Sequence, residues 1–218
     1  MTAEIKYTLE GDIGHYEHTI SREEFIALET FDAVEIDCSD NQLASLPASL
    51  PKCKKLSCFN NRLTSLPTAL PKCKELNCYY NRLASLPASL PKCKEFSCSN
   101  NQLVSLPELP ECKELLCYHN QLTSLPELPK CKELYCSNNQ LTSLPALLPK
   151  CKELYCSNNP LLPHYYPKTT QDLPRYHKLI NAIEILQARF LLKQVLKGCP
   201  WHPLGKKHIS EAWDAYNK

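Results

Sequence analysis

The 218-residue chain is short of several things that would narrow its role. It has no run of about 18 apolar residues, so no segment reads as a membrane span. It has almost no net charge, with a formal value of +2, which is too little to argue for a nucleic acid or an anionic membrane as partner. Its first residues, Met1 to Tyr7, carry no basic start followed by an apolar core, so no secretory signal is expected. Glycine is scarce, with 4 residues, against 18 prolines. Cysteine, by contrast, occurs 14 times. In a short secreted protein that number would suggest a disulfide framework. The placement of the cysteines argues otherwise.

Asn41, Asn61, Asn81, Asn101, Asn120, Asn139 and Asn159 recur at intervals of 20, 20, 20, 19, 19 and 20 residues. Around each lies a unit such as Cys53-Lys-Lys-Leu56-Ser-Cys58-Phe-Asn-Asn61-Arg-Leu63-Thr-Ser-Leu66-Pro67, and seven units fit, the first beginning near Ala33. A fixed period of this length is the mark of a stacked repeat. Each unit is expected to form one coil with a short strand near Leu56-Ser57-Cys58, and successive strands to stack in parallel about 4.8 Å apart. Leu56, Cys58, Leu63 and Leu66, with their equivalents, should point inward, because one coil cannot bury its apolar side alone. The asparagine falls at the bend after the strand, where its amide can satisfy backbone groups of the turning chain. Leu66-Pro67 and Leu70-Pro71 lie on the return path, where proline favours an extended rather than a helical back.

These units match the pattern L-x-x-L-x-L-x-x-N-x-L, with cysteine in the first and third leucine slots. Together with Leu122-Thr-Ser-Leu125-Pro126-Glu-Leu128-Pro129, they resemble the short leucine-rich repeats of effector proteins from enteric bacteria. Similar repeats occur in large DNA viruses. The resemblance covers about residues 33–163 and implies an α/β repeat solenoid: a leucine-rich-repeat array with short parallel strands and an extended, proline-rich convex side. Cys38, Cys58, Cys78, Cys98, Cys117, Cys136 and Cys156 depart from the pattern, standing where a larger aliphatic residue is usual.

The flanks do not repeat. In residues 1–32, Ser21-Arg-Glu-Glu24 reads as a capping box opening a helix to about Glu29, with Phe25, Ile26 and Leu28 available for burial. In residues 164–218, apolar residues at helical spacing from Gln171 to Lys197 suggest a helix ending near Gly198, and a shorter one is expected from Ile209 to Tyr216. Both flanks are expected to be helical caps over the end coils. Leu173-Pro174 before an apolar helix faintly resembles the start of an F-box, which would instead make the tail a ligase adaptor. Some bacterial repeat effectors carry a ubiquitin-ligase domain, but about 55 residues after the repeats are too few for one, and Cys199-Pro200-Trp201 offers no matching motif.

The cysteines form two columns. The second is Cys53, Cys73, Cys93, Cys112, Cys131 and Cys151. The columns should lie about 15 Å apart along an extended chain, and each is a line rather than a tetrahedron, so no metal site and no cofactor are expected. Stacked thiols in register also make disulfide torsions awkward. They read as small core hydrophobes in a reducing compartment, cytoplasmic or inside a host cell. Buried in apolar surroundings they would ionise poorly, so no catalytic residue and no enzyme are expected.

Residues flanking the inward leucine and cysteine should point outward. Among them Phe59, Tyr79, Tyr80, Leu116, Tyr118, His119, Tyr135 and Tyr155 form the candidate partner-binding set, since tyrosine is enriched at interface hot spots. Beside them run Lys54, Lys74, Lys94, Lys113, Lys132 and Lys152 with Glu75, Glu95, Glu114, Glu133 and Glu153, read as a solvated face of alternating charge. The expected function is protein binding by a monomeric module through the strand face. A self-assembling scaffold is the alternative.

Overall fold

The computed structural model describes residues 4–12, 18–145 and 148–161. The chain opens with β1 (Glu4–Thr8), β2 (His18–Ser21) and α1 (Arg22–Ala27). Seven three-residue strands follow at the repeat interval: β3 (Glu35–Asp37), β4 (Lys55–Ser57), β5 (Glu75–Asn77), β6 (Glu95–Ser97), β7 (Glu114–Leu116), β8 (Glu133–Tyr135) and β9 (Glu153–Tyr155). The nine strands of the described residues form one sheet in the order β2-β1-β3-β4-β5-β6-β7-β8-β9. From β3 onward every pairing is parallel and in register, giving a solenoid of about six turns.

Stacking in register puts equivalent residues in inward columns. The strand centres Ile36, Leu56, Leu76, Phe96, Leu115 and Leu134 are at most 1% exposed, and Cys38, Cys58, Cys78, Cys98 and Cys117 are fully buried. Leu63, Leu83, Leu103, Leu122 and Leu141 are also fully buried, as is the return-path column that includes Leu90, Leu109 and Leu128. The Leu66 column is shallower than its apolar character suggests. Leu66 and Leu144 are buried, whereas Leu46, Leu86, Leu106 and Leu125 are only half-buried. The neighbouring proline takes up the inner space in several coils: Pro47, Pro67, Pro87 and Pro145 are all buried. In the two 19-residue coils the missing residue is absorbed on the return path, where Pro107 and Pro126 become half-buried, while the strands keep their register. Apart from α1, the described residues contain no helix.

The asparagine ladder joins the coils. Nδ2 of Asn120 donates to the carbonyls of Cys117 in its own coil and Cys98 in the preceding one, and its Oδ1 accepts from Leu103 N at 3.0 Å. The same set recurs at Asn61, Asn81, Asn101, Asn139 and Asn159. Each amide therefore satisfies backbone groups that the bend takes out of the sheet. At the start of the ladder Asn41 has no such earlier coil, and its Oδ1 is buried without a partner.

The N-terminal segment is more β than its sequence suggests. The capping box at Ser21 is present, with reciprocal bonds to Glu24, but the helix it opens ends at Ala27. Phe25 is buried; Ile26, expected to be buried, is 42% exposed, because one and a half turns offer only a narrow inward stripe. The apolar cover comes instead from β1, which runs antiparallel to β3 and buries Ile5, and from the ring contacts of Phe31 with Tyr7 and Phe25. The C-terminal helices expected between residues 171 and 216, the F-box-like Leu173-Pro174 and Cys199 lie outside the described residues.

Candidate functional site: the strand face

Each strand turns its first and third residues outward, as the alternation of burial in β7 and β8 shows. The first-residue column is Glu35, Lys55, Glu75, Glu95, Glu114, Glu133 and Glu153. The third-residue column is Asp37, Ser57, Asn77, Ser97, Leu116, Tyr135 and Tyr155. Two residues on, past the buried cysteine, lies a column of Ser39, Phe59, Tyr79, Ser99, Tyr118, Ser137 and Ser157. Beside it, Asp40, Asn60, Tyr80, Asn100, His119, Asn138 and Asn158 all adopt left-handed backbone, with φ from 51° to 58°.

The candidate aromatic residues form three groups. Phe59 stacks on Tyr79 at 4.9 Å, and Tyr79 meets Tyr80 edge-on. Tyr118 meets His119 edge-on. Tyr135 stacks on Tyr155 at 4.8 Å with the rings 10° apart. Tyr80 and Tyr155 are 57% and 54% exposed, His119 is exposed, and Phe59, Tyr79, Leu116, Tyr118 and Tyr135 are half-buried against their neighbours. Ser97 and Ser99 separate the first group from the second. Tyr80 occupies a left-handed slot that the other coils fill with asparagine, aspartate or, at His119, histidine, all of which tolerate it better than tyrosine.

The charged columns differ from a simple alternating surface. In the sheet, Glu75, Glu95, Glu114, Glu133 and Glu153 stand directly beside one another. Lys55 neutralises one end through an ion pair to Glu75 at 2.9 Å, and Tyr135 Oη donates to Glu153 at 2.7 Å. That bond and nearby carboxylates push the Tyr135 phenol up to about 12. The Glu114 carboxyl is raised by burial first and then by Glu133 and Glu95. On the return side the hydrogen bond from Lys130 lowers the Glu111 carboxyl, with smaller contributions from Lys94 and Lys113.

The 13 cysteines of the described residues are buried free thiols. Burial raises all of them; Cys73, Cys112 and Cys131 reach about 12 and Cys156 about 11. The second column has a further role that its spacing did not suggest. Cys53, Cys73, Cys93, Cys112, Cys131 and Cys151 each direct Sγ to the carbonyl two residues on, at 3.2–3.5 Å, holding the entry to the strand. Among the described residues no group of three or more His, Cys, Asp or Glu is arranged to hold a metal ion, and no helix is long and apolar enough to cross a membrane.

Solved structures decide the type of coil. YopM from Yersinia enterocolitica superposes with a TM-score of 0.57 at 35% identity, over 63% of this chain and 32% of that one. This is a leucine-rich-repeat solenoid. A Shigella effector leucine-rich-repeat domain superposes with a TM-score of 0.53 at 28% identity, over 68% of this chain and 76% of that one. The solenoid therefore resembles those of bacterial effectors, and spans about a third of the Yersinia protein's length. No protein-family model and no curated protein matches the sequence.

Two polar atoms of the strand face were not legible in the sequence. Asn77 Oδ1 and Ser99 Oγ are shut off from solvent with no hydrogen-bond partner, and Ser99 is 0% exposed. Ser99 is flanked in register by Tyr79 and Tyr118. Only the size of the neighbouring rings, read against the register, could have signalled its burial.

Proposed function

We propose that this solenoid is a protein-interaction module that binds its partner through the strand face, at Phe59, Tyr79, Tyr80, Leu116, Tyr118, His119, Tyr135 and Tyr155. In this reading residues 1–32 cap the start of the array, residues 33–163 form it, and residues 164–218 are a separate segment. The observation that carries the proposal is the placement of Tyr80. A left-handed tyrosine costs more than asparagine, on the order of 1 kcal/mol, and folding gains little from the Tyr80 ring, which is 57% exposed. Strain held by the surrounding fold, beside exposed rings, is the kind of feature found where a surface is used. The module acts by contact rather than catalysis, as a monomer, and its buried thiols suit a reducing compartment such as a cytoplasm or a host-cell interior.

The test compares the full chain with Tyr118→Ser/Tyr135→Ser as bait in a cytosolic extract. Loss of specific partners from a variant that melts normally supports the strand face. Unchanged capture refutes it and moves attention to the convex side. Concentration-dependent assembly of the wild type in sedimentation velocity would favour a self-assembling scaffold instead.

A further inference from the structure

The strand face over β5 to β9 offers many hydrogen-bond acceptors and little to balance them. Glu95, Glu114 and Glu133 are consecutive in the sheet, and no ion pair within the described residues neutralises them. Like charges directly opposite on paired strands oppose folding. The neighbouring Lys94, Lys113 and Lys132 make no ion pair with them among the described residues. Independently, Asn77 Oδ1 and the fully buried Ser99 Oγ on the same face have no hydrogen-bond partner. Beside the carboxylates, two residues along the same strands, stand Leu116 and the stacked rings of Tyr135 and Tyr155. Unpaired carboxylates next to aromatic faces complement a cation on an apolar stem, which combines charge-assisted hydrogen bonds with cation–π contact.

We propose that this face is a docking groove for a lysine- or arginine-bearing segment of a protein partner, its cations seated on Glu95, Glu114 and Glu133 and its stems lying on Tyr135 and Tyr155. The proposal rests on the strand-face reading above and names the chemistry of the partner. Binding relieves the repulsion within the glutamate row, so the groove is stabilised when filled.

The test uses the full chain and a fluorescein-labelled hexa-arginine peptide, read by fluorescence anisotropy across a salt series. Binding that weakens with salt, and that falls by about tenfold in Glu114→Gln/Glu133→Gln, is the expected result. The control Glu23→Gln/Glu108→Gln removes the same charge away from the groove and should bind as wild type. Glutamine at these positions removes repulsion, so the groove variant should be at least as stable as wild type in urea, which separates lost docking from lost folding. Absence of hexa-arginine binding, equal loss in groove variant and control, or preferential binding of labelled hexa-glutamate overturns the proposal. These outcomes leave the strand-face reading to the tyrosine variant, so the two fail separately.

Discussion

Raising the pH should unfold this protein abruptly, because of its thiols. The 13 described cysteines are buried, and burial raises every one of their pKa values in the folded state. In the unfolded chain a thiol titrates near the reference value of about 8.5–9. A group whose folded pKa is raised contributes its stability below the unfolded pKa and loses it as pH climbs toward the folded one. Above about pH 9 the unfolded state has released protons that the folded state keeps, so unfolding becomes more favourable with pH. At pH 10 one such thiol shifts the balance by about 1.4 kcal/mol. If only half of the ladder behaves this way, the loss is about 8–10 kcal/mol, comparable with the whole stability of a typical domain. Circular dichroism in reductant should therefore show one cooperative loss of structure between about pH 9 and 10.5. Replacing Cys58, Cys78 and Cys98 with alanine should lower stability at pH 7 yet flatten the alkaline transition. A structure that persists to pH 11 in reductant would refute the buried, protonated ladder.

Other outcomes follow from single contacts. Asn120→Ala removes the acceptor of Leu103 N and one donor to each of two carbonyls, so urea unfolding should show a loss of about 3 kcal/mol. Asn41→Ala, at the start of the ladder where Oδ1 has no partner, should cost only about 1 kcal/mol; equal losses would refute the ladder as a chain of inter-coil bonds. Tyr80→Asn should raise stability by about 0.5–1 kcal/mol by relieving left-handed strain, while weakening partner binding in the pull-down. Tyr118→Ser/Tyr135→Ser should shift stability by about 1 kcal/mol or less; unfolding of that variant would make the rings structural.

The asparagine period exposed the solenoid because every coil must satisfy the same backbone groups at the same bend, so one residue type recurs where the geometry recurs. Most outward slots were equally legible, since alternation about an inward leucine and cysteine requires them; Ser99, expected to face outward, is instead buried between neighbouring rings. Interactions that depend on stacking were harder to read. Glu95 facing Glu114 is about 20 residues away in sequence and becomes a neighbour only when coils register, so within one strand the charges seemed to alternate. The mixed N-terminal segment was hidden for a similar reason: β1 is a strand because it pairs with β3, and its alternation is too short to stand out alone. The role of the second cysteine column in holding the strand entry is a matter of Sγ direction, which spacing does not carry.

Stability in this array is carried almost entirely by inward columns and the asparagine ladder, each coil leaning on its immediate neighbours. Outward side chains are therefore free to change from coil to coil at little cost. Along the third-residue column the early coils carry Asp37, Ser57, Asn77 and Ser97, and the later ones Leu116, Tyr135 and Tyr155. The glutamate row keeps one sign from β5 to β9, whereas Lys55 interrupts it near the start. Folding asks for neither trend: the inward residues of early and late coils are nearly the same, and like charges in register oppose the sheet. The apolar end of that column, lying beside the glutamate row, is what supports the groove proposed over β6 to β9. In that reading, over β8 and β9, a partner side chain meets a carboxylate and a ring within the same three-residue strand.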